Sequence, residues 1–277
     1  MCLTAYRQMH TSMDTFAPSL SLERDGAVES ATSAEFQSGD LRTAAGVAVK
    51  NRILLSLPDA EFRAIREALE FWNLPRRSSL HEPSQELEFA YFPNGGLISL
   101  VVATEDGKTV EAGVVGREGV VGTPLVVGLR RSPICEIVQI ASGGFKMKAA
   151  ALREALVAAP QFQMTLSRYA VIQGMQIAQT AACNRLHEIE QRLARWILMA
   201  CDRVGDAGPL PITHDFLATM LGTDRPSVTL AAGTLQKKRA IEYTRGTVKT
   251  LNRKKLEEAA CECYRVIQQL DRELDPK

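Results

Sequence analysis

The 277-residue chain has no stretch approaching the roughly 18 consecutive apolar residues that a membrane-spanning helix needs. Its first residues, MCLTAYRQMHTSMD, lack the apolar core of a secretory leader. These two absences lead to the expectation of a soluble cytoplasmic protein with no membrane partner. Net charge is nearly absent too: 33 Lys+Arg against 32 Asp+Glu leave +1, so the overall balance names no partner. Cysteine is sparse and scattered, at positions 2, 135, 183, 201, 261 and 263. Only Cys261-x-Cys263 is close-set, with no second pair or neighbouring histidine along the chain. That spacing suggests neither a zinc motif nor a disulfide framework and predicts reduced, buried thiols. His10, His81, His187 and His214 are widely spaced and read as surface or hinge residues. There is no HExxH, no GxxxxGK[ST], no credible Ser-His-Asp order and no carboxylate pair in a glycine-framed cleft. An enzyme is therefore not expected, and no metal or cofactor is identified.

What is present is an ordinary globular composition, 45% hydrophobic and 23% charged, long enough for a substantial core. Residues 1–45 are rich in Ser, Thr, Ala and Gly and read as a mobile tail. Residues 46–159 open with Leu57-Pro58-Asp59 and a helical spacing of Phe62, Ile65, Leu69 and Trp72. Short β-rich runs follow. Phe89 to Pro93 and Leu97 to Val102 flank Asn94-Gly95-Gly96, which predicts a hairpin. Glu105 to Lys108 is a turn, Val110 to Val115 a strand, and Gly116-Arg117-Glu118-Gly119 another turn. Val120 to Val127 and Ile134 to Ile140 read as further strands, so the region reads as a β-sandwich or jelly roll. From Lys148 the pattern is helical. Residues 160–187 form a long helix in which Phe162, Leu166, Tyr169, Ile172 and Met175 make an apolar stripe. That stripe is expected to need a partner, and a second copy of the chain is the simplest one. A hinge near Asn184 to Glu188 leads into residues 188–277.

In that last region, THDFLATMLGTDRPSVTL has two apolar beats with a sharp break between them. Gly222 permits the corner, Thr223 or Asp224 caps the second helix, and Pro226 suits its first turn. Val228, Ala231 or Ala232, and Leu235 face inward. Arg225, Ser227, Thr229 and Leu230 face outward, where a DNA-reading helix carries its base contacts. Between Leu235 and Lys255 stand eight basic residues and one acid, Glu242. Lys237 and Lys238 end the second helix. Two short strands around Arg245-Gly246, with Lys249 on the second, make a basic hairpin. Helix, turn, helix and basic hairpin form a winged helix-turn-helix, so double-stranded DNA is the expected partner. Lys237, Lys238, Arg245 and Lys249 would neutralise phosphates, and Arg225 can donate two bonds to a guanine edge.

From about Asn51 to Glu258 the chain resembles the cyclic-AMP receptor protein/FNR (Crp/Fnr) family of transcription regulators. The match rests on Leu217-Ala218, Leu221-Gly222, Arg225-Pro226-Ser227-Val228, Leu235 and Ile241 in the reader. Tyr91-Phe92-Pro93, Val115 to Gly119 and Gly122 carry it in the roll, and Asn184 to Trp196 at the hinge. The resemblance implies an α+β fold: a cyclic-nucleotide-binding-like β-roll, a dimerisation helix and a C-terminal winged helix-turn-helix. It further implies a homodimer on a two-fold-related operator, with RNA polymerase as a candidate partner. Two departures stand out. Ligand-binding members carry Gly-Glu and then Arg-Ser or Arg-Thr, whereas here Gly122 is followed by Thr123 and Pro124, leaving Arg131-Ser132 as half a match. A standard cyclic-AMP site is therefore not expected, although a regulator switched by a cyclic nucleotide stays an alternative. The N-terminal cysteine cluster of FNR-like sensors is missing, since Cys2 stands alone in the first 134 residues. Glu111, Arg117, Glu118, Gly122, Thr123, Arg131 and Ser132 either line an effector pocket or are turn charges. The rival function is a protein-interaction adaptor that uses the winged helix on another protein.

Overall fold

The computed structural model describes residues 42–205 and 208–274. Most of the expected tail lies outside the described residues. Its last few residues contribute β1 (Thr43–Ala44), which pairs with β2 (Val47–Ala48). Asn51 then caps α1 (Arg52–Leu55) by accepting from Leu54 N, while its amide donates to Pro93 O and Gly119 O. One buried side chain thereby joins three segments far apart in sequence.

Helix α2 (Asp59–Ile65) and a single 3-10 turn (Arg66–Ala68) end well before Trp72, where the helical spacing had pointed. Residues Glu70–Leu74 form β3 instead. Tertiary pairing overrides the pattern. Phe71 meets Phe145 edge-on at 6.2 Å, and the Lys146 ammonium sits 3.7 Å over the Trp72 ring.

The strands β4 (Ser79–His81), β5 (Phe89–Pro93), β6 (Leu97–Ala103), β7 (Thr109–Val115), β8 (Cys135–Ile140) and β9 (Ser142–Lys148) form two antiparallel sheets. Their orders are β3-β9-β5 and β4-β8-β6-β7. The hairpin expected across Asn94-Gly95-Gly96 is corrected: β5 and β6 lie in different sheets. Asn94 explains the crossing, because its side chain accepts from Lys50 N and Asn51 N and donates to Ala48 O. The corner is thus tied to the N-terminal segment. The strand expected over Val120 to Val127 is also corrected. Val121 makes one bridge to Tyr91, and Thr123–Val127 is a 3-10 turn between Gly122 and Gly128, both left-handed. Pro124 has no N–H to offer a ladder. Strand β9 was not anticipated, because Gly143-Gly144 hides its alternation. The turn at Glu105 to Lys108 joins β6 to β7 as expected.

Helix α3 (Ala149–Ala158) leads into α4 (Pro160–Leu186), and His187 breaks the chain before α5 (Ile189–Val204). The reader comprises α6 (His214–Met220), α7 (Arg225–Lys237), β10 (Ile241–Thr244), β11 (Thr247–Thr250), α8 (Arg253–Ala259) and α9 (Cys263–Arg272). The α+β architecture read from the sequence is borne out.

Phe162, Leu166, Tyr169 and Ile172 are buried within the chain. The first three pack into one core with α1, α2 and β5. The expectation that this stripe needs a second copy is therefore corrected, since the roll itself covers it. Met175, the last residue of the expected stripe, is 44% exposed, and with Met164 at 57% and Val171 at 64% it belongs to a row that faces outward. A second core joins β6, β7 and β8 to α5 and the reader through Val101, Val114, Ile137, Trp196, Phe216 and Leu235. Among the described residues no helix is long and apolar enough to cross a membrane.

Candidate nucleic-acid interface

The corner is built as its residues dictate. Thr213 caps α6 by accepting from Phe216 N, and Gly222 turns the chain at φ +58°. Asp224 caps α7 by accepting from Ser227 N, with Pro226 in the first turn. Val228, Ala231, Ala232 and Leu235 are buried, as the apolar beat required. The opposite side of α7 leaves Arg225, Thr229 and Leu230 in solvent, Leu230 being 74% exposed. Ser227 is less free, because its hydroxyl is held by the Asp224 carboxylate at 2.8 Å.

His214 organises this face, a role its isolation in sequence did not reveal. Its Nδ1 lies 3.0 Å from Thr229 Oγ1 on α7, and its ring stacks on Tyr243 of β10 at 3.9 Å. Thr229 and the hairpin are thereby held on one side of the molecule. Burial, then the nearby Arg225 charge, hold the His214 pKa below its ordinary value, so the ring is neutral at pH 7. Arg225 is oriented by Asp215, 3.5 Å away on α6.

Strands β10 and β11 pair in register from Ile241↔Thr250 to Thr244↔Thr247, and Arg245-Gly246 turns between them with both residues left-handed. Leu210 adds a bridge to Val248. Arg245 and Lys249 are exposed, as is Lys237. Lys238 is exposed but ion-paired with Glu190 of α5, so it is partly spent inside the chain.

The roll places its expected pocket residues in several different settings. Glu111 is buried and accepts from Ser99 Oγ and, at 2.6 Å, from Trp196 Nε1 of α5. Burial raises its pKa to about 7 against the opposing pull of Ser99, Trp196, Arg195 and Arg203. Glu118 is buried 3.2 Å from Arg203 of α5, and burial raises its pKa while Arg203 opposes the rise. Both carboxylates therefore fasten the roll to α5. The turn that carries Glu118 begins and ends in glycine because the helices press against it. A Cβ on Gly116 would lie 2.6 Å from Arg203 Cβ, and one on Gly119 would lie 2.0 Å from Tyr169 Oη. Arg117 and Arg131 are exposed, Thr123 Oγ1 donates to Gln173 of α4, and Ser132 Oγ accepts from Ile134 N. Gly122 takes φ +90° beside His81. His81 is itself buried, with Nδ1 3.1 Å from Glu136. A cleft of 360 Å³ opens beside α3, lined by residues including Phe89, Arg130, Lys148 and Arg153, and none of the expected pocket residues lines it.

Among the described residues Cys135, Cys183, Cys261 and Cys263 are free and buried, as expected, and Cys201 is free and half-buried. The fold brings Cys183 and His187 at the end of α4 against Cys261 and Cys263.

A β-roll is joined through a long helix to a winged helix-turn-helix. Residues 191–259 match the family model of the Crp-like helix-turn-helix domain. No curated protein sequence matches the chain significantly. Among solved structures it is similar to FixK2 from Bradyrhizobium japonicum, with a TM-score of 0.61 at 14% identity over 70% of this chain and 98% of that one. A CRP-family transcriptional regulator from Thermus thermophilus superposes with a TM-score of 0.56 at 19% identity, over 68% and 96%. The c-di-GMP-responsive global regulator CLP of Xanthomonas campestris gives 0.55 at 15%, over 69% and 96%. The resemblance to the Crp/Fnr regulators is thereby borne out, in the reader by the family model and over about 70% of the chain by the fold.

Proposed function

We propose that the protein is a sequence-specific DNA-binding transcriptional regulator that works as a homodimer on a two-fold-related operator. The observation that carries this reading is the His214 hub, which aligns the exposed row of α7 with the basic hairpin. Arg225, Thr229 and Leu230 would meet base edges in the major groove. Leu230 suits a thymine methyl, and Arg225, held by Asp215, suits a guanine. Lys237, Arg245 and Lys249 would bind phosphates, with Lys238 contributing less because of Glu190.

The second copy is assigned to the outer row of α4. Met164, Val171 and Ala178 recur every seven residues, and so do Arg168, Met175 and Ala182; all are exposed. A seven-residue repeat with small residues at its distal end fits two such helices side by side. RNA polymerase would then be recruited to the operator or excluded from it.

The roll is read as a sensor without a standard cyclic-AMP site. Its acids are engaged with α5, and Thr123 and Pro124 stand where the ribose-binding glutamate would be. Any effector would act by shifting the grip of Glu111 and Glu118 on α5, which tilts the readers.

The test is selection of sites from random duplex DNA at two salt concentrations. An enriched palindrome with a steep salt slope supports the reading. No enriched motif, with or without cell metabolites, would sink it in favour of a protein-interaction adaptor.

A further inference from the structure

We propose that Cys183, His187, Cys261 and Cys263 form a mononuclear site for a thiophilic divalent cation of the zinc type, which clamps the hinge between α4 and α5 to the C-terminal helix α9. The three sulfurs and a ring nitrogen of His187 all lie within 4.8 Å of one another. Cys183 Sγ is 3.5 Å from Cys261 Sγ, and Cys263 Sγ is 3.6 Å from His187 Nδ1. A tetrahedral zinc ion with Zn–S bonds of about 2.3 Å holds its thiolates about 3.8 Å apart, close to these two distances, and small side-chain shifts bring donors within 4.8 Å of one another to its corners. An iron–sulfur cluster does not fit, because its four ligands are divided among two or more iron atoms and those on different irons must stand farther apart than 4.8 Å.

Three surrounding features match a metal site. His187 presents Nδ1 to the sulfurs while its Nε2 lies 3.1 Å from the Glu262 carboxylate, the outer-shell partner that fixes a metal-binding tautomer. Gln179 donates to Cys263 Sγ at 3.0 Å, as amides do to thiolates. Arg195 is 2% exposed and, among the described residues, has no carboxylate within ion-pair distance; it contacts Thr180 Oγ1 and Met199 Sδ. Three thiolates, a neutral imidazole and a divalent ion carry a net charge of −1, which answers that buried guanidinium and the neighbouring Arg192. On binding, each thiol gives its proton to solvent and a sulfur lone pair to the metal. The site stands without the DNA reading. Its consequence, that loading sets the hinge and so the operator affinity, rests on that reading.

The experiment is Co²⁺ titration of the reduced full chain. The expected result is saturable uptake of one ion per chain, with thiolate charge-transfer and tetrahedral ligand-field bands that Zn²⁺ displaces. His187→Ala and Cys263→Ser should each weaken binding by more than the roughly 10–100-fold that loss of an outer-shell partner costs. Should these variants misfold, alkylation of the unaltered chain decides: Zn²⁺ should protect Cys183, Cys261 and Cys263 and leave Cys135 and Cys201 unchanged. Absent uptake, uptake indifferent to both variants, unprotected thiols, or only a Cys183–Cys261 disulfide would each overturn the site. Operator affinity of loaded against chelated protein tests the hinge consequence separately. Equal affinities there overturn the regulation while leaving the site; failure to bind DNA in either form overturns the reading beneath it.

Discussion

The reader's candidate DNA-facing cations and three carboxylates of the roll stand at opposite ends of the exposure scale. On the reader, Arg225, Lys237, Arg245 and Lys249 stay in solvent. In the roll, Glu111, Glu118 and Glu136 are buried and matched within the chain to Trp196, Arg203 and His81. A free charge on a surface can meet a polyanion, whereas a buried one is committed to the partner that makes its burial tolerable. Residues of the same chemical type therefore bind in one region and fasten in the other.

The sharpest way to break this comparison is Arg203→Ala. It leaves Glu118 buried without its cation and removes the bond to Val114 O. The expected loss is about 3–5 kcal/mol of unfolding free energy, measured by urea denaturation. A loss under about 1 kcal/mol, the worth of a surface pair, would show that the fastening is not tight.

Next is Glu111→Gln, which keeps an acceptor for Trp196 and removes the charge. A carboxyl whose pKa rises to about 7 on folding binds more protons folded than unfolded. Stability therefore falls as pH rises from roughly 4.5 to 7, and the full cost is present above pH 7. The variant should be more stable than the unaltered protein at pH 8 by on the order of 2–3 kcal/mol. At pH 4 the two should match apart from the substitution itself. Parallel pH profiles of the urea midpoint would refute the assignment.

Arg225→Ala should cost about 1–3 kcal/mol for the selected operator and relax selectivity at one base pair. A base-substituted operator panel reads this directly, and unchanged selectivity would remove Arg225 from the base-reading set. The smallest effects come from the lysines. Lys249→Ala should flatten the salt slope by roughly one unit for every DNA sequence alike. Lys238→Ala should do less, because Glu190 already engages that ammonium. Equal slopes for the two would mean that Glu190 releases Lys238 on DNA.

Much of the reader was legible because its signals are local. The cap at Asp224, the corner at Gly222 and the inward row of Val228, Ala231, Ala232 and Leu235 each follow from backbone geometry over a few residues. The hub at His214 was not legible, since Thr229 and Tyr243 are fifteen and twenty-nine residues away and only folding brings them to it. In the roll, Asn94-Gly95-Gly96 had the composition of a hairpin turn, yet strand partners are chosen by side-chain packing across sheets. Trp72 kept a helical spacing and still joined a strand, because β9 offered Phe145 and Lys146 as neighbours.

The sequence by itself determined the order of parts, the two helices at the corner, the basic hairpin and the break at His187. All of these arise from propensity, capping and charge within one or two turns of chain. Only the tertiary structure decided which face of α4 the roll covers, that Glu111 and Glu118 grip α5, and that Cys183 and His187 meet Cys261 and Cys263. Those pairings join segments some 70 to 115 residues apart along the chain. No local preference encodes them; they are selected by which buried charges and side-chain shapes satisfy one another once the chain has closed.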